Sequence, residues 1–484
     1  MRLHTLPVHR LGELMERKEF SSEELVRNYL EHISRVEDEI KALVTVTEEA
    51  ALAQARAVDE KRARGEELSP LAGIPMAITD NICTEGVKTT CASRMLYNFV
   101  PPYDADAAAR LKRAGAVLMG KCSMDEFSIG PVEEESGFFS AGNPFAPDAV
   151  SAGSSGGAAA VAAREAAFAL GADTAGSLRR PAAFCGVIGF KPTYGRVSRY
   201  GLISYASSLD QIGPFTRDMT DLALVLNIIC GRDAKDSTSA AVNVPDFTKS
   251  LINDVKGLRI GLPEEYFAGA EPGVAARVRE AAGKLEELGA VCEEVSMPHT
   301  AYALPAHYII SSAEASSNLA RYDGVRYGLR VDAGDVLGMF SKTRSRGFGE
   351  EVKTLIMLGT YVLGAANYND YYVKALQART LVRQDFDRAF EKFDCLITPA
   401  SPAIAHRKGK ETADPLAARL SKTCSVPVNL AGVPALSLPF GMVEGLPVGL
   451  QFITRHFGEE ILLRVGYTLQ QNTDQTRLKP GLAC

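Results

Sequence analysis

The 484-residue sequence has no excess of positive charge: 53 Lys and Arg against 59 Asp and Glu leave a formal net charge of −6. Phosphate contacts need a basic surface, so the chain does not read as one that grips nucleic acid by itself. No apolar run reaches the roughly 18 residues that would mark a membrane span, and no secretory signal segment is recognisable. The nine cysteines are scattered, Cys83 and Cys91 being the nearest pair, and no spacing suits zinc. Reduced thiols, a cytoplasmic location and no metal are therefore expected. None of His4, His9, His32, His299, His307, His406 and His456 falls in a catalytic or metal motif, so each is read as structural rather than as part of a Ser-His-Asp centre.

The stretch 152–189 stands out from this background. It holds two small-residue turns, each with a serine, joined by an alanine-rich segment short enough to be one helix. Glycine beside serine lets backbone N–H groups approach a ligand closely, and a helix starting at Gly156 would add its positive end. That setting suits a developing oxyanion. A phosphate cradle would need a Gly-Lys-Ser/Thr ending, which is missing. The window Gly153-Ser154-Ser155-Gly156-Gly157 fits the G-x-S-x-G elbow, but that motif needs a buried strand just before it, and 147–151 reads as a poor strand.

The length allows two average domains or one large α/β unit. The first 65 residues read as helical: Ser21-Ser22-Glu23-Glu24 forms an N-cap with acidic residues behind it, and Leu25, Val26, Tyr29, Leu30 and Ile33 recur at helical spacing. Residues 54–64 form a charged helix with a solvated face. Ala77-Ile78 reads as a short strand, placing residue 79 at a strand end, where α/β active sites are usually built. An amphipathic helix over 104–115 and a buried strand over 116–120 give a first βαβ signal. Residues 258–262, 274–288 and 290–295 repeat strand, helix, strand. Short buried strands are expected at 394–399, 434–439 and 448–453, and a closing helix at 459–471.

The two serine turns, the words Phe184-Cys185-Gly186 and Lys191-Pro192-Thr193-Tyr194-Gly195-Arg196-Val197-Ser198, and the stretch Leu446 to Gln451 resemble the amidase signature family over nearly the whole chain. Within it the chain is most similar to the glutamine-hydrolysing subunits of tRNA-dependent amidotransferases. The resemblance implies an α/β fold, a mixed and largely parallel sheet covered by helices on both faces. It divides the chain into an N-terminal helical segment, 1–65, and a catalytic domain, 66–484, with a helical substrate-side insertion at about 300–390. It also implies a Ser–cis-Ser–Lys centre: Ser177 as nucleophile, Ser154 as bridging serine, and Thr174, Ala175 and Gly176 around the oxyanion. Tyr308 and Asp173 are the expected substrate-binding residues. The implied partners are B and C subunits, with tRNA met only through the B subunit, and glutamine or a small amide as substrate. No cofactor is implied for this chain; ATP and Mg belong to the B subunit of such an assembly.

Departures from the family pattern fall at the chemistry. Where the family writes Gly-Ile-Pro-x-x-x-Lys-Asp-Asn, this chain ends in Thr79-Asp80-Asn81. A serine is a weak nucleophile unless a base takes its proton, and threonine cannot be that base. Lys88 and Lys121 are the lysines that could stand in. Ala175 replaces a glycine; were that position at positive φ, alanine would strain the turn by ~1 kcal/mol. Arg180 replaces a glutamine, and Gly130 to Ser136 carries carboxylates where the family has hydroxyls, a poor setting for glutamine's own carboxylate. The arginine implied for the substrate α-carboxylate reads Thr354-Leu355, and the acid implied for its α-ammonium reads Lys422. Each such loss costs ~2–5 kcal/mol of binding. The expectation is an amidotransferase A-type subunit with impaired or absent glutaminase activity; a non-catalytic paralogue and an amidase for another small amide are the alternatives.

Overall fold

The computed structural model describes residues 2–129, 138–151, 156–407 and 422–481. Among the described residues thirteen strands run in chain order: β1 (Leu43–Val46), β2 (Pro75–Thr79), β3 (Val117–Cys122), β4 (Gly142–Asn143), β5 (Ala146–Val150), β6 (Phe168–Asp173), β7 (Ile188–Lys191), β8 (Gln211–Thr216), β9 (Arg259–Pro263), β10 (Val291–Val295), β11 (Cys395–Pro399), β12 (Ala435–Val443) and β13 (Leu446–Thr454). Eleven of them form one sheet in the order β1-β3-β2-β6-β8-β7-β12-β13-β11-β9-β10. Every residue of β2, β3, β6 and β8 is buried, which requires cover on both faces, and helices supply it.

The sheet is mixed for a reason visible in its connections. Parallel pairing occupies two blocks, β3-β2-β6 and β11-β9-β10, where helices such as Asp106–Arg113 and Pro272–Glu287 carry the chain back between strands. Between the blocks lies antiparallel pairing, closed by the β12–β13 hairpin. The strand, helix, strand pattern expected over 258–295 is β9, the Pro272–Glu287 helix and β10, paired in parallel.

Two readings change. Residues 1–65 are not wholly helical: Leu43–Val46 pairs antiparallel with β3 as an edge of the main sheet, its Leu-Val-Thr-Val pattern being strand-forming. Ala146–Val150 is a strand, contrary to the reading of 147–151, but it pairs only with β4 in a separate two-stranded sheet. It exposes part of its length, so the buried strand that a nucleophile elbow requires is still lacking.

The amino-terminal helix Ser22–Ile40 starts as the sequence predicts. The Ser21 hydroxyl accepts from the Glu24 N–H at 3.1 Å, and the Glu24 carboxylate accepts from the Ser21 N–H at 2.7 Å. Leu25, Val26, Tyr29 and Ile33 enter the main core beneath the β2 and β3 side of the sheet. Helices Ala303–Leu319, Val336–Gly347, Glu350–Leu363 and Lys374–Lys392 make up the expected insertion, and Phe348, Leu355 and Phe386 pack with Val426, Leu430 and Ile453 into a second core. Among the described residues no helix is long and apolar enough to cross a membrane.

Candidate active site

Ser177 lies in the turn between β6 and the Arg179–Phe184 helix. So tight a turn leaves buried N–H groups that need acceptors, and Asp173 supplies them. Its buried carboxylate accepts from the Gly176 N–H at 2.7 Å and the Leu178 N–H at 3.1 Å. Arg179, itself fully buried, donates to both carboxylate oxygens at 3.0 Å, and Asn429 Nδ2 donates at 2.8 Å. Burial opposes ionisation of Asp173, but Arg179 and Asn429 outweigh it and hold the carboxyl at about 2. Arg179 then reaches Asn429 Oδ1 at 2.5 Å, Gln451 Oε1 at 2.7 Å and the Ser425 carbonyl at 3.1 Å. Three distant segments, 173–179, 425–429 and β13, are thereby pinned behind the Ser177 turn.

This arrangement revises two expectations. Asp173 is expected to touch substrate; its oxygens are instead engaged by the turn, by Arg179 and by Asn429, so it positions Ser177. Gly176 is expected to offer an oxyanion donor, yet its N–H is taken by Asp173. Thr174 directs its hydroxyl to Asp210 Oδ1 at 2.6 Å, and the Ala175 carbonyl accepts from Ser425 Oγ at 2.8 Å. The positive φ of the turn belongs to Gly176, at +100°, where a Cβ would collide with Ser425. Ala175 is not at positive φ, so the substitution there brings no such strain.

Ser177 opens into a small pocket with Asp125, Ala175, Arg180, His307 and Lys422 around it, of about 30 Å³. That is room for water and not for an amino acid. Burial raises Asp125, half-buried at the pocket wall, to about 6, although Lys422 and Arg180 pull the other way. Burial lowers His307 to about 4, and its Nε2 lies 3.1 Å from the Thr174 carbonyl. A carbonyl can only accept, so this nitrogen carries a proton, and the lowered basicity of the ring leaves it neutral near pH 7. Among the described residues Ser177 Oγ has no hydrogen-bond partner.

None of the three residues considered for the base lines this pocket. Thr79 ends β2 as expected, but it is fully buried and its hydroxyl donates to the Leu170 carbonyl on β6 at 2.9 Å. Lys121 is buried against β2, donating to the Ile82 carbonyl at 2.6 Å, to Thr89 Oγ1 at 2.9 Å and to Thr84 Oγ1 at 3.2 Å, with Asp80 at 3.9 Å. Lys88 is exposed. Ser154 and residues 130–136 lie outside the described residues.

Of the expected clamp positions, Lys422 is in the pocket. Tyr308 is not; it packs against the second core, and the residue before it, His307, faces Ser177 instead. Leu355 is buried in that same core and Thr354 is exposed on its helix, so neither stands where a substrate carboxylate would meet Ser177. Arg179, His307 and Asp125 are the site residues that sequence reasoning missed. Arg179 had one legible signal, the first of an Arg179-Arg180 pair in a run otherwise made of small, hydroxyl and apolar residues after Asp173. His307 and Asp125 had none, because only the insertion and the loop after β3 bring them beside Ser177.

A family model described as Amidase matches residues 24–463. The chain is 60% identical over 484 residues to the A subunit of glutamyl-tRNA(Gln) amidotransferase from Moorella thermoacetica, covering 100% of this chain and 99% of that one. It is 57% identical over 485 residues to the protein of the same name in Desulforamulus reducens, covering 100% of both. Among solved structures, the A subunit of glutamyl-tRNA(Gln) amidotransferase from Thermotoga maritima matches with a TM-score of 0.82 and 38% identity, over 100% of this chain and 99% of that chain. The native peptide amidase of Stenotrophomonas maltophilia matches with a TM-score of 0.85 and 30% identity, over 99% of each. With a matching sheet, a serine turn braced from behind and likeness over its full length, the chain belongs to the amidase signature family.

Proposed function

We propose that this chain is the A-type subunit of a tRNA-dependent amidotransferase whose glutamine-hydrolysing centre keeps its nucleophile and has lost its base. The subunit role rests on the relatives that carry that name over the full length. The impairment rests on one observation above the others: Thr79, at the strand end where the family resemblance puts lysine, is buried with its hydroxyl bonded to Leu170. A positioned general base is worth about 10²–10⁴ in rate. The neutral His307 is a poor replacement, since its protonated nitrogen faces a carbonyl and its basicity is low.

The pocket adds a second obstacle. Lys422 and Arg180 place positive charge beside Ser177, which disfavours the α-ammonium of glutamine, and the cavity is too small for the amino acid without movement. In the assembled enzyme this subunit therefore holds B and C subunits together with little ammonia of its own to pass on, and tRNA is met through the B subunit.

The test is ammonia release from glutamine, asparagine and a small neutral amide by the purified chain, alone and with B and C subunits, with Ser177→Ala as the blank. Release close to the blank alongside a stable complex is the expected result. Rapid, Ser177-dependent release from glutamine would sink the proposal.

A further inference from the structure

Behind the segment that carries Asp125 lies a second cavity, of about 580 Å³. Small-molecule sites are typically ~300–1,000 Å³. It opens between the Arg94–Leu96 turn and the junction of the Val336–Gly347 and Glu350–Leu363 helices, and Arg94, Tyr97, Leu329, Arg346, Phe348 and Lys353 line it. Asp125 faces the Ser177 pocket and the next residue, Glu126, faces this cavity, so one dipeptide separates them.

The charges on its wall are unevenly engaged. Glu126 accepts from Ser93 Oγ at 2.5 Å and from the Gly349 N–H at 3.0 Å, bracing the start of the Glu350–Leu363 helix. Lys353 pairs with Glu350. Arg94 and Arg346 are exposed and form no ion pair or side-chain hydrogen bond among the described residues. The two arginines line the cavity beside Tyr97 and Leu329, while the Phe348 ring is buried against Phe127, Tyr322 and Arg344.

We propose that this cavity is a binding site for a small organic anion, a carboxylate or phosphate carried on a planar apolar body. Arg94 and Arg346 meet the anionic head, for which the planar five-donor fork is suited. Tyr97 and Leu329 meet the body. The carboxylates already on the wall are held by Ser93, Gly349 and Lys353, so they do not need to leave for the ligand to enter.

The proposal is tested by calorimetric titration of the full chain at low ionic strength with phenyl phosphate and with phenylacetate, using phenol as the neutral reference. The expected result is saturable binding of at least one anion, none of phenol, and binding about tenfold or more weaker in the doubly substituted Arg94→Gln, Arg346→Gln chain. Both arginines are exposed, so the variant should melt with the wild type; a matched melting temperature establishes that it is folded. Tighter binding of phenyl phosphate assigns a phosphate head, and tighter binding of phenylacetate a carboxylate. No saturable binding of either anion overturns the site. So does binding that survives the double substitution but is lost in Arg180→Gln, which would move the ligand to the Ser177 pocket. The measurement needs no turnover and is independent of whether the chain hydrolyses glutamine.

Discussion

Thr79 and Ser177 are separated by more than the missing amine. Because the Thr79 hydroxyl already bonds to Leu170, the position to which the proposed reading assigns the base is closed within the sheet. Thr79→Lys should therefore raise ammonia release from a small neutral amide at least ~10-fold over the Thr79→Lys, Ser177→Ala blank. Glutamine should stay a poor substrate of that variant until Lys422→Asp is added; equal gains for both amides would show that Lys422 does not govern selection. In the Ser177 turn, Ala175→Gly should cost no more than ~1 kcal/mol, the ordinary penalty of glycine flexibility. Gly176→Ala should cost more, since its φ of +100° and the approach of Ser425 leave no space for a Cβ. Thermal melts of the two variants decide the order. Asp125 also gives a pH signature. Its carboxyl is raised to about 6 from an ordinary value of ~3.9. Its favourable contribution is complete below that ordinary value and is lost as pH rises through about 6. Asp125→Asn should therefore flatten the fall in melting temperature between ~pH 4 and ~pH 6.5; an unchanged profile would remove Asp125 as its source.

At the scale of elements, the Arg179–Phe184 helix and the end of β6 depend on one buried ion pair. Asp173 and Arg179 are both fully buried, so truncating either leaves the other's charge without its partner. Arg179→Met should destabilise the chain by ~3–5 kcal/mol and release Asn429 and Gln451 from the turn, measured as a lowered melting temperature and faster hydrogen exchange in β13. A variant that melts with the wild type would show that the turn is held by backbone packing alone. The local elements around this pair were readable because their signals are local. The Ser21 to Glu24 capping box, the period of Leu25, Val26, Tyr29 and Ile33, and the apolar runs of β3, β9, β11 and β13 all express themselves within a few residues. β1 is not legible in the sequence because four residues inside a helical context carry too little periodicity, and its identity depends on pairing with β3. Ala146–Val150 is illegible for the same reason, since only its antiparallel partner β4 makes it a strand.

Across the whole molecule, the amino-terminal segment is tied to the core by a polar latch. Asp221, buried on the Met219–Ile229 helix, accepts from the Val8 and His9 N–H groups at 2.9 Å and lies 2.8 Å from His9 Nδ1. Arg217 donates to the His4 carbonyl at 3.2 Å and to the Leu6 carbonyl at 2.9 Å. Burial disfavours the charged imidazole, but the hydrogen bond and charge of Asp221, with Asp218 and Glu13 beside it, raise His9 above its ordinary value. The latch contribution is thus full below ~pH 6.5 and is lost as pH rises through the raised value. The melting temperature gap between wild type and His9→Ala should shrink from ~pH 6 to ~pH 9; a constant gap would assign His9 a packing role only.

From sequence alone came the architecture's local vocabulary, the family resemblance, the expectation that Ser177 is the nucleophile, and the absence of lysine at residue 79. These are properties of short segments, and a motif or a period is complete within the segment that carries it. Tertiary structure decided the rest: that Asp173 braces the turn rather than touching substrate, that His307 and not Tyr308 faces Ser177, that Leu355 is core, and that Asp125, Arg180 and Lys422 share one small pocket. Each of those facts joins residues tens to hundreds of positions apart, and their proximity is set by the packing of the insertion against the sheet, which no single segment encodes.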